Sequence, residues 1–122
     1  MKQILLIDDN PGDVTLIKEV LSEARFEIKI YVAVDGEQAL QMLADPQFKP
    51  ALIILDLNLP KVTGLELLAL CKPTAPVVVF SSSANPSETR RAMDLGAQEF
   101  VQKPYDLQEF ARVITRMVQH WA

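Results

Sequence analysis

The chain has 122 residues, 49% of them hydrophobic and 23% charged, with a formal net charge of −4. That length suits one domain spanning 1–122 with a single core; the acidic balance speaks against nucleic acid as a partner, and no apolar run approaches the ~20 residues that cross a bilayer. Cys71 is the sole cysteine, so there is no internal disulfide and the cytoplasm is the default compartment, in keeping with a Met1-Lys2-Gln3 start that lacks a signal-peptide layout.

Ile4-Leu5-Leu6-Ile7 is a short apolar run that ends in Asp8-Asp9. Asn10-Pro11-Gly12-Asp13 then opens a helix, with Asn10 as N-cap and Pro11 at the first helical position. Val14, Ile17, Val20, Leu21 and Ala24 follow at helical spacing. Residues 28–33 are β-branched and aromatic and predict a second strand. Asp35-Gly36-Glu37 starts a short helix that Asp45-Pro46 stops. Leu52-Ile53-Ile54-Leu55 is a strand buried on both faces, and it runs directly into Asp56.

After Pro60, Thr63-Gly64-Leu65-Glu66 has the spacing of a capping box, and Pro73 ends the helix it begins. Val77-Val78-Val79-Phe80 predicts a fourth buried strand, which ends in Ser81-Ser82-Ser83. Asn85-Pro86 repeats the cap-plus-proline start, and Gly96 fits the C-terminal stop of that helix. Residues 98–101 predict a fifth strand, followed by Gln102-Lys103-Pro104. Asp106 caps a last helix with Leu107, Phe110, Ile114, Met117 and Trp121 on its inner stripe.

Five β-α units in strict alternation imply an α/β fold, a five-stranded parallel sheet with helices on both faces and right-handed crossovers. The common order for five strands is 2-1-3-4-5, the flavodoxin-like three-layer sandwich, with its ligand crevice between strands one and three. Asp8, Asp9 and Asp56 then share one rim, and Ser81 and Lys103 reach it from strands four and five. Carboxylates about 4 Å apart repel by about 4 kcal/mol per pair at an effective dielectric of about 20. A fold keeps such a cluster if a cation offsets it or protonation relieves it. Carboxylate, carbonyl and water ligands suit Mg²⁺, with Mn²⁺ as a substitute. A metal, a carboxylate, a hydroxyl and a lysine together suit phosphoryl transfer, in which the carboxylate can be the nucleophile.

Asp8-Asp9, Asp56-Leu57-Asn58-Leu59-Pro60 with Gly64, Ser81-Ser82, and Lys103-Pro104 resemble the response-regulator receiver domain of two-component signalling, over essentially the whole chain. The resemblance implies a phosphoacceptor role for Asp56, which would take a phosphoryl group from a sensor histidine kinase. It implies Mg²⁺ held by Asp9, Asp56 and the backbone carbonyl of Asn58, with Asp8 acting largely through a bound water. Ser81 would turn its hydroxyl toward the phosphoryl group, and Lys103 would supply the counter-charge from a cis Lys103-Pro104 peptide. Phe100 matches an aromatic switch position that works with Ser81, and Asn58 and Ser83 match positions that tune phosphoryl lifetime. Such a domain is no turnover enzyme and catalyses only its own phosphorylation and dephosphorylation. Ser81 stands where threonine is commoner in the family, and Phe100 where tyrosine is frequent; the short span from Asp56 to Ser81 predicts a short third helix.

Asp9-Asn10-Pro11-Gly12-Asp13 and a last helix ending in His120-Trp121 are similar to the single-domain regulators of phytochrome-type kinases. His120 itself is read as a surface residue, and Cys71 as a small apolar one. With no further module after the last helix, output is expected through protein contact or phosphoryl relay. Ala111, Val113 and Val118 widen that helix's apolar band, which predicts homodimerisation through the face of helix four, strand five and helix five. The alternatives are a receiver-shaped interaction module that is never phosphorylated, and a phosphatase of the haloacid-dehalogenase kind, whose nucleophile normally follows the first strand. A flavodoxin-like phosphate binder is disfavoured because Asp8-Asp9 would repel anions.

Overall fold

Apolar runs of four to six residues bury themselves by pairing side by side, and the helices between them cover both faces of the resulting sheet. In the computed structural model, which describes residues 1–83 and 85–122, the strands are Lys2–Ile7 (β1), Ile28–Ala33 (β2), Leu52–Leu55 (β3), Val77–Ser81 (β4) and Glu99–Gln102 (β5). The helices are Pro11–Glu23 (α1), Gly36–Leu43 (α2), Gly64–Cys71 (α3), Pro86–Asp94 (α4) and Leu107–Trp121 (α5). All pairings are parallel and the order is β2-β1-β3-β4-β5. β5 begins one residue later than its sequence pattern suggests, because pairing starts at Val78 opposite Glu99.

Alternation along the strands divides the interior in two. Leu5, Ile7, Ile53, Leu55, Val77 and Val79 pack with Ala39 of α2, Leu67 and Leu68 of α3 and Ala92 of α4. Ile4, Leu6, Leu52, Ile54, Val78 and Phe80 pack with Ile17, Val20 and Leu21 of α1 and Phe110, Ile114, Met117 and Val118 of α5. Each fully buried Leu or Ile contributes about 1.5–3 kcal/mol relative to exposure, so these two layers hold the rim in place.

Every helix starts on the expected cap. Asn10, Asp35, Thr63, Asn85 and Asp106 each accept a hydrogen bond from a first-turn amide. Thr63 and Glu66 form the reciprocal capping box, both bonds at 3.2 Å. Caps of this kind contribute about 1 kcal/mol each. α3 is short, at eight residues.

The inner stripe of α5 departs from expectation at both ends. Leu107 is 67% exposed and Trp121 only partly buried, whereas Val118 is 3% exposed and belongs to the core. Ala111 and Val113 also pack against that core layer. The wide apolar band therefore faces inward, because α5 packs on the sheet alongside α1 and buries a broader arc than one sheet face requires. The exposed large apolar side chains near the expected dimer face are instead Met93, Tyr105 and Leu107.

Candidate functional site

Register brings the acids together. Ile7 pairs with Leu55, so the next residues on these strands, Asp8 and Asp56, emerge side by side. The ladder continues through them: the Asp56 amide donates to the Ile7 carbonyl at 2.9 Å and the Asp8 amide to Ala33 at 3.0 Å. Lys103 is placed in the same way from β5, its amide donating to the Ser81 carbonyl at 2.7 Å.

Asp8, Asp56, Ser81 and Lys103 are the four buried polar or charged residues among those described. The Lys103 ammonium donates to Asp8 Oδ2 at 2.9 Å, Asp56 Oδ2 at 2.9 Å and Asp13 Oδ2 at 2.8 Å. Asp8 Oδ1 accepts the Asn10 amide at 2.9 Å, and Asp56 Oδ1 accepts the Asn58 amide at 3.0 Å. These bonds fix the orientation of both carboxylates. One oxygen from each of Asp8, Asp9 and Asp56 lies within 4.8 Å of the other two. Three hard oxygen donors at that spacing, two of them buried, fit an oxygen-preferring divalent cation. Asp9 is the exposed member and stands at the mouth.

Charge at the site is unbalanced. Burial pushes the Asp8 carboxyl above its ordinary range, and the Asn10 amide and Lys103 only partly oppose this while Asp56 adds to it. For Lys103, burial alone would favour the neutral amine, but hydrogen bonds to Asp13, Asp8 and Asp56 hold it above the ordinary lysine range. The asymmetry is physical, since the lysine gains three anions while Asp8 shares one cation with two other carboxylates.

Ser81 ends β4 at the same rim, and Phe100 lies on β5 beside it. Ser81 Oγ accepts the Ser83 amide at 3.4 Å, Ser81 is 1% exposed, and Phe100 packs partly buried against the layer under α3 and α4. Asn58 is exposed on the loop after β3, and Ser83 is half-buried on the loop after β4. One expectation fails here: no cis peptide occurs among the described residues, so the bond before Pro104 is trans. Trans is the lower-energy isomer of an X-Pro bond by about 0.5–1 kcal/mol, and the lysine reaches its three partners from it.

Asp13 is the residue that the sequence did not mark. Its place in Asn10-Pro11-Gly12-Asp13 is fully explained by the helix start, since its amide is what the Asn10 cap accepts, at 3.1 Å. The available signal was position: α1 begins two residues after the acid pair, so its first turn stands over the rim.

The family model described as the response regulator receiver domain matches residues 4–115. The chain belongs to the response regulator receiver domain family. Among its relatives, the transcriptional regulatory protein CpxR of Escherichia coli (strain K12) is 34% identical, over 100% of this chain and 52% of that one. This chain thus spans about half the length of the first curated relatives it matches. The response regulator Rcp1 of Synechocystis sp. is 30% identical over 98% of this chain and 88% of its own. The phosphorylated cyanobacterial phytochrome response regulator RcpA superposes with a TM-score of 0.90 at 31% identity, covering 98% and 93% of the two chains. The Mn²⁺-bound form of Rcp1 gives 0.89 at 29% identity, covering 99% and 94%. The receiver fold of this chain follows, and it is consistent with two-component signalling. No helix among its described residues is long and apolar enough to cross a membrane.

Proposed function

We propose that this receiver accepts a phosphoryl group on Asp56 from a sensor histidine kinase, in a reaction that needs Mg²⁺. The observation that carries the reading is the approach of one oxygen each from Asp8, Asp9 and Asp56 to within 4.8 Å of one another, with the Lys103 ammonium already bonded to Asp56. Attack by an Asp56 carboxylate oxygen forms an O–P bond while the N–P bond of a phosphohistidine breaks, and the electron pair leaves on the imidazole. Asp8, Asp9, Asp56 and the Asn58 carbonyl would hold the metal, with Mn²⁺ as a substitute. Bound there, the ion neutralises charge on the equatorial phosphoryl oxygens. Lys103 supplies further positive charge to those oxygens.

Ser81 then bonds a phosphoryl oxygen, and the gap it leaves lets Phe100 repack, which shifts a two-state equilibrium of the α4-β5-α5 face. Asn58 and Ser83 flank the phosphoryl group and set access of water to it, and so its lifetime. The domain works on itself alone and turns over no other substrate. The likeness to RcpA, a cyanobacterial phytochrome response regulator, supports a phytochrome-type kinase as the donor. Output runs through protein contact, including a homodimer formed by α4, β5 and α5.

Intact mass after treatment with acetyl phosphate and Mg²⁺ tests the reading. Wild type should gain one phosphoryl group and Asp56→Asn none. An unmodified wild type would favour an interaction module that is never phosphorylated, and modification that persists in Asp56→Asn would move the acceptor elsewhere.

A further inference from the structure

Lys103 has three ammonium protons and spends one on each of three carboxylates. Two of these acceptors, Asp8 and Asp56, also belong to the trio that fits a divalent cation; Asp13 does not. A cation entering that trio and the lysine therefore compete for the same two carboxylates. The dication also repels the ammonium. Left with only Asp8 and Asp56 as partners, the lysine would oppose metal binding or be driven out of reach of Asp56.

Asp13 provides a place for that charge. Its side chain is 26% exposed, against 2% for Asp8 and 8% for Asp56, so it lies nearer the solvent than either of them. It hangs from the first turn of α1, anchored through its own backbone amide on Asn10 and not through its carboxylate. The carboxylate is thus free for Lys103.

We infer that Asp13 is a positioning residue for Lys103, holding the ammonium beside Asp56 while Mg²⁺ takes Asp8 and Asp56. The inference rests on the proposed Mg²⁺ site and deepens it. As the ion enters, Lys103 gives up its bond to Asp8, keeps Asp13, and leaves one donor for the oxygens of a group on Asp56. Asp13 therefore raises Mg²⁺ affinity through the lysine and not merely through its own charge. A carboxylate acting by charge alone would attract the ion whether or not Lys103 were present.

Calorimetry of Mg²⁺ binding to four proteins separates these cases: wild type, Asp13→Asn, Lys103→Met and the double variant. Coupling of ordinary size predicts that Asp13→Asn raises the Mg²⁺ Kd about five- to tenfold in the wild-type background and less than about twofold beside Lys103→Met. Asp13→Glu should recover most of the affinity. In the side-chain ¹⁵N–¹H spectrum, the Lys103 ammonium should stay protected from exchange on Mg²⁺ addition in wild type and lose that protection in Asp13→Asn. Equal losses of affinity in both backgrounds, or none in either, overturn the role of Asp13. Wild type that binds no Mg²⁺ removes the underlying site and, with it, this inference.

Discussion

A methyl group on Gly36 would stand 2.0 Å from the Val62 carbonyl oxygen and 2.6 Å from Val62 Cβ. The N-terminus of α2 thus presses directly on the loop between β3 and α3, the loop that carries Asn58. Lys61, in the left-handed region at φ 67°, adds ion pairs from the same loop to Asp35 at 3.7 Å and Glu37 at 3.9 Å. These exposed pairs are worth little by themselves; the close backbone approach is what sets the loop.

Gly36→Ala should accordingly act at a distance. Overpacking against backbone, which cannot swing aside, costs about 1–3 kcal/mol. The displaced loop should also weaken Mg²⁺ binding, since Asn58 moves with it. Chemical denaturation and Mg²⁺ calorimetry on this variant check both; full stability with full affinity would mean that the loop yields freely.

The carboxylate cluster should be a net burden without metal. Asp8, Asp9, Asp13 and Asp56 face the single ammonium of Lys103, leaving three uncompensated negative charges. Asp56→Asn removes one acid while Lys103 keeps Asp8 and Asp13, so the metal-free protein should gain about 1 kcal/mol. Lys103→Met strands two buried carboxylates and should cost about 3–5 kcal/mol. Mg²⁺ should recover much of that loss, and at about a hundredfold excess over its Kd it should stabilise wild type by about 2.7 kcal/mol. Thermal melts with and without Mg²⁺ read all of these; a lower melting temperature for Asp56→Asn would contradict the charge imbalance.

Acid should loosen the end of α5. Glu99 accepts from Arg116 at 2.8 Å and from the Trp121 indole at 2.9 Å. Those bonds, led by Arg116, hold its carboxyl below the ordinary value of 4.5. A carboxyl lowered in the folded state contributes stability that is present above 4.5 and disappears as pH falls through its lower folded value. Trp121 is the only tryptophan, so its fluorescence should report this transition below pH 4.5. Glu99→Gln should abolish that change while leaving the rest of the acid unfolding curve in place.

Alkali tests the lysine. Lys103 is raised above its ordinary value of 10.5, so its stabilising contribution is complete below pH 10.5 and is lost as pH climbs through the higher folded value. Wild type should therefore lose stability above pH 10.5 along a limb that Lys103→Met lacks. Parallel melting curves for the two proteins across that range would show that the three carboxylates do not hold the lysine's proton.

Association should depend on phosphorylation. With Ala111, Val113 and Val118 turned inward, a homodimer through α4, β5 and α5 has Met93 and Leu107 as its exposed apolar contacts. Sedimentation with beryllofluoride and Mg²⁺ should show a dimer that Leu107→Glu weakens. A monomer at high concentration with the mimic bound would end the dimer reading.

Much of this protein could be read from local chemistry alone. Unbroken apolar runs must be buried on both faces, and Asn10, Asp35, Thr63, Asn85 and Asp106 cap helices through bonds spanning two or three residues. Both are short-range effects, so the chain order of elements was legible, and the acids, the serine and the lysine at strand ends followed from the parallel sheet that alternation requires. Tertiary structure alone decided which way side chains turn once elements are packed. The rotational setting of α5 hid Val118 and exposed Leu107, because both fit a helical stripe and only contact with the sheet and α1 selects between them. The bond from Lys103 to Asp13 joins residues 90 positions apart. It arises because β5 and the first turn of α1 meet over the same rim, a relationship that no local pattern encodes.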